Sequence, residues 1–227
     1  MIEIKNLNKI YLKGKKNMVH ALNNINLKID DRETVAIIGE SGAGKSTLLH
    51  IMSCIDNFDG EYYLDNIDIN KLSESKKSKL RSSKIGIVLQ DFALIDDFTV
   101  FENVMTPLYF NKKIKDKKGS VMRALKKTGI ASLKSKKVSQ LSGGQKQRVA
   151  ISRALVTSPE YIFADEPTGS LDSKTSEEIV KMLFDLNRNG ITIVIVTHNL
   201  EIANQCHHII EIKDGNIIKD IFLPFLH

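Results

Sequence analysis

Aromatic residues and cysteines are scarce in this sequence of 227 residues. It has no tryptophan, and its aromatic content of 6% is too low to favour a surface on which nucleic-acid bases stack. The cysteines, Cys54 and Cys206, lie far apart and outside any CxxC pattern. We therefore expect neither a disulfide framework nor a zinc site, and a reducing, cytoplasmic setting fits this composition.

Long apolar segments are absent as well. The longest, such as ITIVIV at 191–196, fall far short of the about 20 residues that a membrane-spanning helix needs. The opening MIEIKNLNKIY lacks the apolar region of a secretory signal. We therefore expect a chain that is not itself a channel and that is soluble when isolated.

Proline and linker segments are rare, whereas lysine is abundant. The sequence has 4 prolines, no Gly/Ser-rich linker and no internal repeat, which predicts a single domain. Its formal net charge is +6, and lysines are densest in SESKKSKLRSSK and NKKIKDKKGS. Such segments are typical of solvated faces, with attraction to nucleotide or to an anionic membrane surface as the alternative.

The order of the apolar segments predicts an α/β fold. Short β-rich stretches at the start predict a small antiparallel sheet that leads into a buried strand at ETVAIIG. After residue 158 a strand, a helix and another strand alternate, which predicts a mainly parallel core sheet with right-handed crossovers. We expect 1–91 and 159–227 to form this core with an N-terminal antiparallel β subdomain, and the Lys-rich segment 92–158 to form an inserted α-helical subdomain. At the end of the chain, KDGN predicts a hairpin turn.

The segment GESGAGKST follows an apolar strand and precedes a helix-forming run. It matches the phosphate-loop pattern G-x-x-x-x-G-K-[ST] from Gly39 to Ser46, whose glycines let backbone N–H groups approach a triphosphate. We expect Lys45 to hold the terminal phosphates as a point charge and Ser46 to ligate Mg²⁺. The following helix is predicted to have an apolar side formed by Leu48, Leu49, Met52 and Ile55.

Polar side chains follow three of the predicted strands at their C-terminal ends, the edge where open α/β sheets bind ligands. Asp165, after YIFA, is placed to bind the Mg²⁺ shell, and Glu166 to orient or deprotonate a water that attacks the γ-phosphate. The alternative makes both acids strand-end caps or salt-bridge partners. His198, after ITIVIVT, is expected to contact the γ-phosphate, and Gln90, after IGIVL, to reach the metal or the attacking water.

Tyr11 lies in the first predicted sheet, where it either stacks on adenine or packs within the sheet. Adjacent His207 and His208 face opposite sides of a strand, which does not favour a metal site. The remaining histidines are assigned to surface or packing positions: His20, His50 and His227.

A second glycine-rich helix start lies in LSGGQ at 141–145, directly before KQRVAISRAL. Because a helix N-terminus offers unpaired N–H groups and partial positive charge, this segment is a second candidate phosphate site. Taken together, GESGAGKST, LSGGQ, FADEP and SLD at 170–172, along with Tyr11, Gln90 and His198, resemble the ATP-binding subunit of ABC transporters. The resemblance covers essentially the whole chain, and it implies a P-loop NTPase fold.

The resemblance also implies roles for individual residues. Two subunits would pair head to tail, with ATP between the phosphate loop of one and LSGGQ of the other, and Asp172 would lie in the loop that crosses to the partner. The catalytic residues would be Lys45, Gln90, Glu166 and His198, and the Mg²⁺ ligands would be Ser46, Gln90 and Asp165. The ATP contacts would be Tyr11, which stacks on adenine, and Gly39, Glu40, Ser41, Gly42, Ala43, Gly44, Lys45, Ser46, Thr47, Ser142, Gly143, Gly144 and Gln145.

The function implied is ATP hydrolysis coupled to a separate transmembrane permease subunit, at the cytoplasmic face of the cell membrane. The segments ADEPTGSLD and TVFENVMTPL are similar to those of the group that contains macrolide exporters, lipoprotein-releasing systems, the cell-division pair and peptide or bacteriocin exporters. We expect export of a peptide, bacteriocin, antibiotic or lipid-like substrate, with a mechanotransmission or lipoprotein-release complex as the alternative. The surface at 92–108 is the expected docking site, unless its apolar residues form the core of the helical subdomain. A phosphotransferase and a nucleic-acid-associated ATPase are the rivals, and no nucleic-acid partner is expected.

Overall fold

A computed structural model describes residues 1–111 and 113–223, so His227 lies outside the described residues. The chain forms two compact units: unit 1, Met1–Lys77 with Thr192–His227, and unit 2, Ser78–Ile191. In chain order the strands are β1 (Ile2–Tyr11), β2 (Val19–Ile29), β3 (Thr34–Ile38), β4 (Asp59–Leu64), β5 (Ile67–Asp68), β6 (Ile85–Val88), β7 (Tyr161–Asp165), β8 (Thr192–Val196), β9 (His208–Lys213) and β10 (Asn216–Phe222). The α-helices are α1 (Lys45–Met52), α2 (Glu74–Lys84), α3 (Val100–Met105), α4 (Lys117–Lys127), α5 (Gly143–Leu155), α6 (Ser173–Arg188) and α7 (Leu200–Ala203).

Unit 1 contains the predicted antiparallel sheet, with its strands in the order β2, β1, β4, β5. Alternating apolar residues bury one face, among them Ile2 and Ile4 of β1. The β1–β2 pairing is irregular between Ile4 and Leu7. There the side chain of Asn26 accepts a hydrogen bond from the backbone N–H of Asn6 at 3.0 Å. Side-chain amides thus replace part of the backbone ladder at this irregularity.

Unit 1 also contains a parallel arrangement, in which β3 lies between β8 and β9. All five residues of β8 are buried, as expected for a strand covered on both faces. Ile37 of β3 pairs with Val196 of β8, and the N–H of Thr197 donates to the carbonyl of Ile37 at 3.1 Å. The segments that follow β3 and β8 therefore begin at the same sheet edge.

Unit 2 contains the parallel pair β6 and β7, in which Val88 is opposite Ala164. The segments that follow these two strands also leave from one edge. Between 92 and 158 the described residues form α3, α4, α5 and three 3₁₀ helices, Thr106–Tyr109, Ala131–Leu133 and Val138–Gln140, and no strand. This content agrees with a helical segment, while the predicted boundaries of a subdomain at 92–158 stay a prediction.

One detail of the predicted helix after the phosphate loop is wrong. Leu48, Leu49 and Met52 are buried as expected, but α1 ends at Met52 and Ile55 is 48% exposed. Cys54 has a positive φ of 57°, which turns the chain before the apolar repeat reaches its next position. The predicted hairpin at KDGN is confirmed by β9 and β10.

That hairpin holds a buried histidine between two acids. His208 is fully buried, its Nε2 lies 2.5 Å from Asp220 Oδ1, and its Nδ1 lies 3.9 Å from Glu33 Oε2. Burial by itself lowers the pKa of His208, but the attraction of the acids Glu33 and Asp220, the second of which is also hydrogen-bonded to the ring, outweighs it and raises the pKa above its ordinary value. The resulting stabilisation is present below the pKa of an unfolded histidine and is lost as the pH rises through the folded pKa.

We expect Asp220→Asn to lower the free energy of unfolding by about 1 kcal/mol at pH 6 and by less at pH 9, because only protonated His208 forms the ion pair. Urea unfolding at both pH values measures the difference. The matched control is Glu211→Gln, which removes an acid paired with Lys219 in the same hairpin and involves no histidine. Equal losses at pH 6 and pH 9 for Asp220→Asn would contradict the prediction.

Candidate functional site

Residues 39–44 form the loop that connects β3 to α1 in unit 1, and close contacts with the backbone require two of its glycines. At Gly39, with φ of 147°, a Cβ atom would lie 2.1 Å from the carbonyl oxygen of Ile212. At Gly44, with φ of 105°, it would lie 2.4 Å from the carbonyl oxygen of Ala21. Gly42 also has a positive φ, but its Cβ would meet no atom of the described residues within 4 Å. Gly39 and Gly44 are therefore needed for the loop to pack against its own unit, whereas Gly42 is favoured by its positive φ alone.

Lys45 is the first residue of α1, and its side chain curls back onto the loop. Its Nζ donates to the carbonyls of Gly39 at 2.9 Å and Glu40 at 2.7 Å. The N-cap residue Gly44 has no side chain to satisfy the first N–H groups of the helix. An ammonium group and a helix N-terminus thus lie at the same loop, as an anion site requires.

A pocket of about 440 Å³ lies in unit 1 beside this loop. Tyr11, which is 37% exposed, lines it, and its hydroxyl donates to Asp56 Oδ2 at 2.7 Å. Burial, together with this hydrogen bond, raises the pKa of Tyr11, so the phenol stays protonated at neutral pH. Lys9 Nζ lies over the ring, 4.8 Å from its centroid. The other lining residues are Val19, His20, Ala21, Gly42, Gly44, Lys45, Ser46, Thr47, Asp214 and Gly215.

His198 lies beyond the C-terminal end of β8, at the same sheet edge of unit 1 as the phosphate loop that follows β3. It follows Thr197, whose N–H donates to Ile37 near the end of β3, and its side chain is exposed. Of the histidines assigned to surface or packing positions, His20 is exposed and lines the pocket, and His50 is half-buried.

Asp165, Glu166 and Gln90 are among the predicted residues that lie in unit 2. Asp165 at the end of β7 is buried, and among the described residues its Oδ1 has no hydrogen-bond partner. A buried carboxylate oxygen in this state suits a cation ligand. Glu166 has a positive φ of 44°, and its carbonyl accepts from the N–H of Gly169 at 3.1 Å. A Cβ atom on Gly169 would contact Gln90 Nε2 and Glu166 Cβ, both at 3.7 Å, so these side chains converge on one place.

The segment LSGGQ begins α5 of unit 2, with Ser142 as its N-cap. The N–H of Gln145 donates to the Ser142 hydroxyl at 3.4 Å, and the Gln145 side chain accepts from the N–H of Ser142 at 3.1 Å, which forms a capping box. A Cβ atom on Gly144 would lie 2.4 Å from Thr175 Cγ2, close to the start of α6. The structure thus gives Gly144 a packing role that the sequence interpretation did not include, while its contact with nucleotide stays a prediction.

Asp172 is the N-cap of α6, which the sequence interpretation also did not anticipate. Its carboxylate accepts from the Thr175 N–H at 3.0 Å and from the Thr175 hydroxyl at 2.7 Å, and these bonds lower its pKa. Lys9 and Asp56, which hold Tyr11, were missed as well. Lys9 lies two positions before Tyr11 in β1, so the period of a strand could have revealed it. Asp56 lies 45 positions away from Tyr11, and no local sequence pattern connects the two.

Within 1–111 and 113–223, no helix combines the length and the apolar character needed to span a membrane. This finding agrees with the short apolar runs of the sequence.

Comparison with known proteins gives the family. The family described as ABC transporter matches residues 22–169. The uncharacterized ABC transporter ATP-binding protein MJ0796 of Methanocaldococcus jannaschii is 45% identical over 227 residues, which cover 97% of this chain and 96% of that protein. The macrolide export ATP-binding/permease protein MacB of Mannheimia succiniciproducens is 45% identical over 222 residues, which cover 97% of this chain and 34% of MacB. This chain therefore spans about a third of the length of that relative.

A solved structure supports the same assignment. The dimeric post-hydrolysis state of the MJ0796 cassette, bound to ADP and Pi, has a TM-score of 0.91 and 42% identity and covers 100% of both chains. The predicted fold class, an α/β P-loop NTPase, is confirmed. The chain belongs to the ABC transporter family, as an ATP-binding cassette.

Proposed function

We propose that this chain binds and hydrolyses Mg·ATP and thereby drives a separate membrane subunit. The observation that carries the proposal is the phosphate loop of unit 1, where Lys45 and the open start of α1 lie beside a pocket that ends at Tyr11. A triphosphate suits the ammonium and the helix N-terminus, and a flat base suits the aromatic ring. The post-hydrolysis state of MJ0796, with ADP and Pi bound, supports the reaction.

The proposed residue roles are those that the family resemblance implies, and the side-chain chemistry supports them. ATP contacts come from Tyr11, from residues 39–47 of the phosphate loop and the first turn of α1, and from residues 142–145 of a second copy of the chain. Mg²⁺ is assigned to Ser46, Gln90 and Asp165, whose hydroxyl, amide and carboxylate oxygens are ligands that this hard cation prefers. When bound, Mg²⁺ neutralises charge on the β- and γ-phosphates. Asp165 Oδ1, which is buried and has no hydrogen-bond partner in the part of the chain that the structure describes, supports this assignment.

Hydrolysis proceeds by in-line attack of water on the γ-phosphorus, which breaks the bond to the oxygen that bridges the β- and γ-phosphates and releases ADP and phosphate. Glu166 orients this water and accepts its proton, Lys45 offsets the negative charge of the terminal phosphates, and His198 donates a hydrogen bond to the γ-phosphate. Gln90 helps to hold the attacking water in line with the bond that breaks, and its amide oxygen would bind the metal. The side chains contribute mainly positioning and charge neutralisation, as is usual for phosphoryl transfer.

We further propose a head-to-tail homodimer, in which Ser142 and the start of α5 of one subunit contact the ATP held by the phosphate loop of the other. The exposure of Ser142 at a helix N-terminus supports this contact, and so do the dimeric structures of MJ0796.

The membrane partner is proposed to dock on unit 2 near 92–108, at the cytoplasmic face of the membrane. Val100, Val104 and Leu108 are buried and belong to the core of unit 2, whereas Ile95 and Phe98 are exposed at 44% and 41%. Because only exposed side chains can contact a partner, these exposures favour residues 92–98 as the docking surface. The MacB relative, an ATP-binding/permease protein, supports export as the task, with a peptide, bacteriocin, antibiotic or lipid-like substrate. A mechanotransmission or lipoprotein-release complex is the alternative, and no nucleic-acid partner is proposed.

The test is to measure phosphate release from Mg·ATP by the purified chain, with mass analysis of the products. We expect ADP and free phosphate in equal amounts. ADP with a phosphorylated small molecule and no free phosphate would favour a phosphotransferase and overturn the proposal. Salt-sensitive binding of DNA or RNA at physiological ionic strength would instead favour a nucleic-acid-associated ATPase.

A further inference from the structure

The loop that follows β6 has an unusual backbone. We define the Gln90 loop as residues 90–96. Within it, the consecutive residues Phe92 and Ala93 have positive φ values of 62° and 44°. Side chains other than glycine disfavour this region, so surrounding contacts have to hold the loop in this shape.

Arg153, in the last turn of α5, supplies two of these contacts. Its guanidinium donates to the carbonyl oxygen of Phe92 at 2.8 Å and to that of Ala93. Burial lowers the pKa of Arg153, partly opposed by the charge of Asp91, yet a guanidinium stays charged at any working pH. The charged guanidinium thus donates one hydrogen bond to each of the carbonyls of Phe92 and Ala93. Hydrogen bonds from a charged donor are stronger than those between neutral groups.

A second basic residue of the same helix contacts the far end of the loop. Lys146 Nζ lies 3.6 Å from Asp96 Oδ1. Lys146 and Arg153 are seven positions apart, close to two helical turns, and therefore share one face of α5. From α3, the side chain of Asn103 accepts from the Ile95 N–H at 2.9 Å and donates to the Ile95 carbonyl at 3.0 Å. Side chains of α5 thus contact the Gln90 loop at residues 92, 93 and 96, and a side chain of α3 contacts it at residue 95.

We propose that Arg153 is a positioning residue that ties the Gln90 loop to α5, so that a displacement of Ser142 at the start of this helix is transmitted to Gln90. The inference rests on the proposed function. In the proposed dimer, Ser142 of one subunit contacts the ATP held by its partner's phosphate loop, whereas Gln90 of that same subunit helps to hold the hydrolytic water at its own phosphate loop. ATP bound at one site thus affects hydrolysis at the other. Arg153 itself touches neither nucleotide nor water in this scheme.

The matched control is Arg148, on the same helix. It donates to the Thr128 carbonyl at 3.0 Å and pairs with Glu178 at 2.7 Å, so it anchors α5 without contacting the Gln90 loop. We expect Arg153→Gln to lower kcat by about 10- to 100-fold, because misplacement of a catalytic group by an ångström costs on this order. KM for ATP should change little, because Tyr11 and the phosphate loop keep their own contacts. Arg153→Lys should recover part of the loss, since an ammonium still reaches a carbonyl.

Hydrogen exchange provides the readout that a general loosening of α5 would not reproduce. We expect faster amide exchange at 92–94 in Arg153→Gln but not in Arg148→Gln, although both variants lose thermal stability. If the two variants lose kcat equally, or if exchange at 92–94 is the same in both, the proposal is overturned. A wild-type chain that hydrolyses no ATP would refute the proposed function instead, and exchange at 92–94 would still decide whether Arg153 holds the loop.

Discussion

Glu166→Gln is expected to reduce ATP turnover by about 10²- to 10⁴-fold while ATP binding is retained, which is the range for loss of a general base. The amide keeps the size of the side chain and removes its capacity to accept a proton. Steady-state phosphate release measures turnover, and binding of a fluorescent ATP analogue measures affinity.

Glu160→Gln is a matched control for Glu166→Gln, because it also removes one carboxylate next to β7. Glu160 directly precedes β7, and its carboxylate pairs with Lys84 at 2.9 Å on the exposed surface. Glu160→Gln is therefore expected to leave turnover unchanged. Unchanged turnover in Glu166→Gln would remove Glu166 from the mechanism, and a loss of ATP affinity would make its role structural.

Loss of Lys45 is expected to have an equally large effect, and a mixing experiment can assign it to a shared site. In a Glu166→Gln background that traps ATP, chains with Lys45→Ala and chains with Ser142→Arg should each trap none. In a random equal mixture half of the dimers are mixed, and one of the two sites in each is intact. The mixture should therefore trap about a quarter of the ATP of the parent, as two-fold symmetry requires.

Ser142→Arg also removes a helix cap, which costs about 1 kcal/mol of stability. Ser142→Ala controls for that loss, because it removes the cap without adding bulk or positive charge, and it should weaken trapping far less than Ser142→Arg. If the mixture traps no more than the separate variants, ATP is not shared between the subunits in the proposed way.

The sequence predicted well those features that depend on neighbouring residues. The strand, phosphate loop and helix at 34–52 follow from apolar spacing and glycine placement, and the hairpin at KDGN follows from turn chemistry. Strand ends are also local, so the positions of Asp165 and His198 after buried strands were predictable.

Features that depend on tertiary contact were not predictable. Gly144 is predicted to contact phosphate, which stays a prediction, and its missing Cβ also makes room for Thr175, thirty-one residues later in the sequence. Lys77 lies in a segment interpreted as a solvated face, yet it is 8% exposed, because it pairs with Glu74 at 3.1 Å and donates to Asn57 Oδ1 at 3.2 Å. A lysine-rich pattern does not reveal which ammonium group the fold will enclose.

The way Tyr11 is held has a consequence for nucleobase selectivity. Its hydroxyl is bonded to Asp56 and one face of its ring is covered by Lys9, so the opposite face is the part left to meet a ligand. A π-face stacks on any base and forms no pattern of donors and acceptors. Under the proposed role, Tyr11 thus favours a flat base without distinguishing adenine from guanine. Discrimination between ATP and GTP falls to the other side chains of the pocket, among which His20 and Asp214 can form hydrogen bonds.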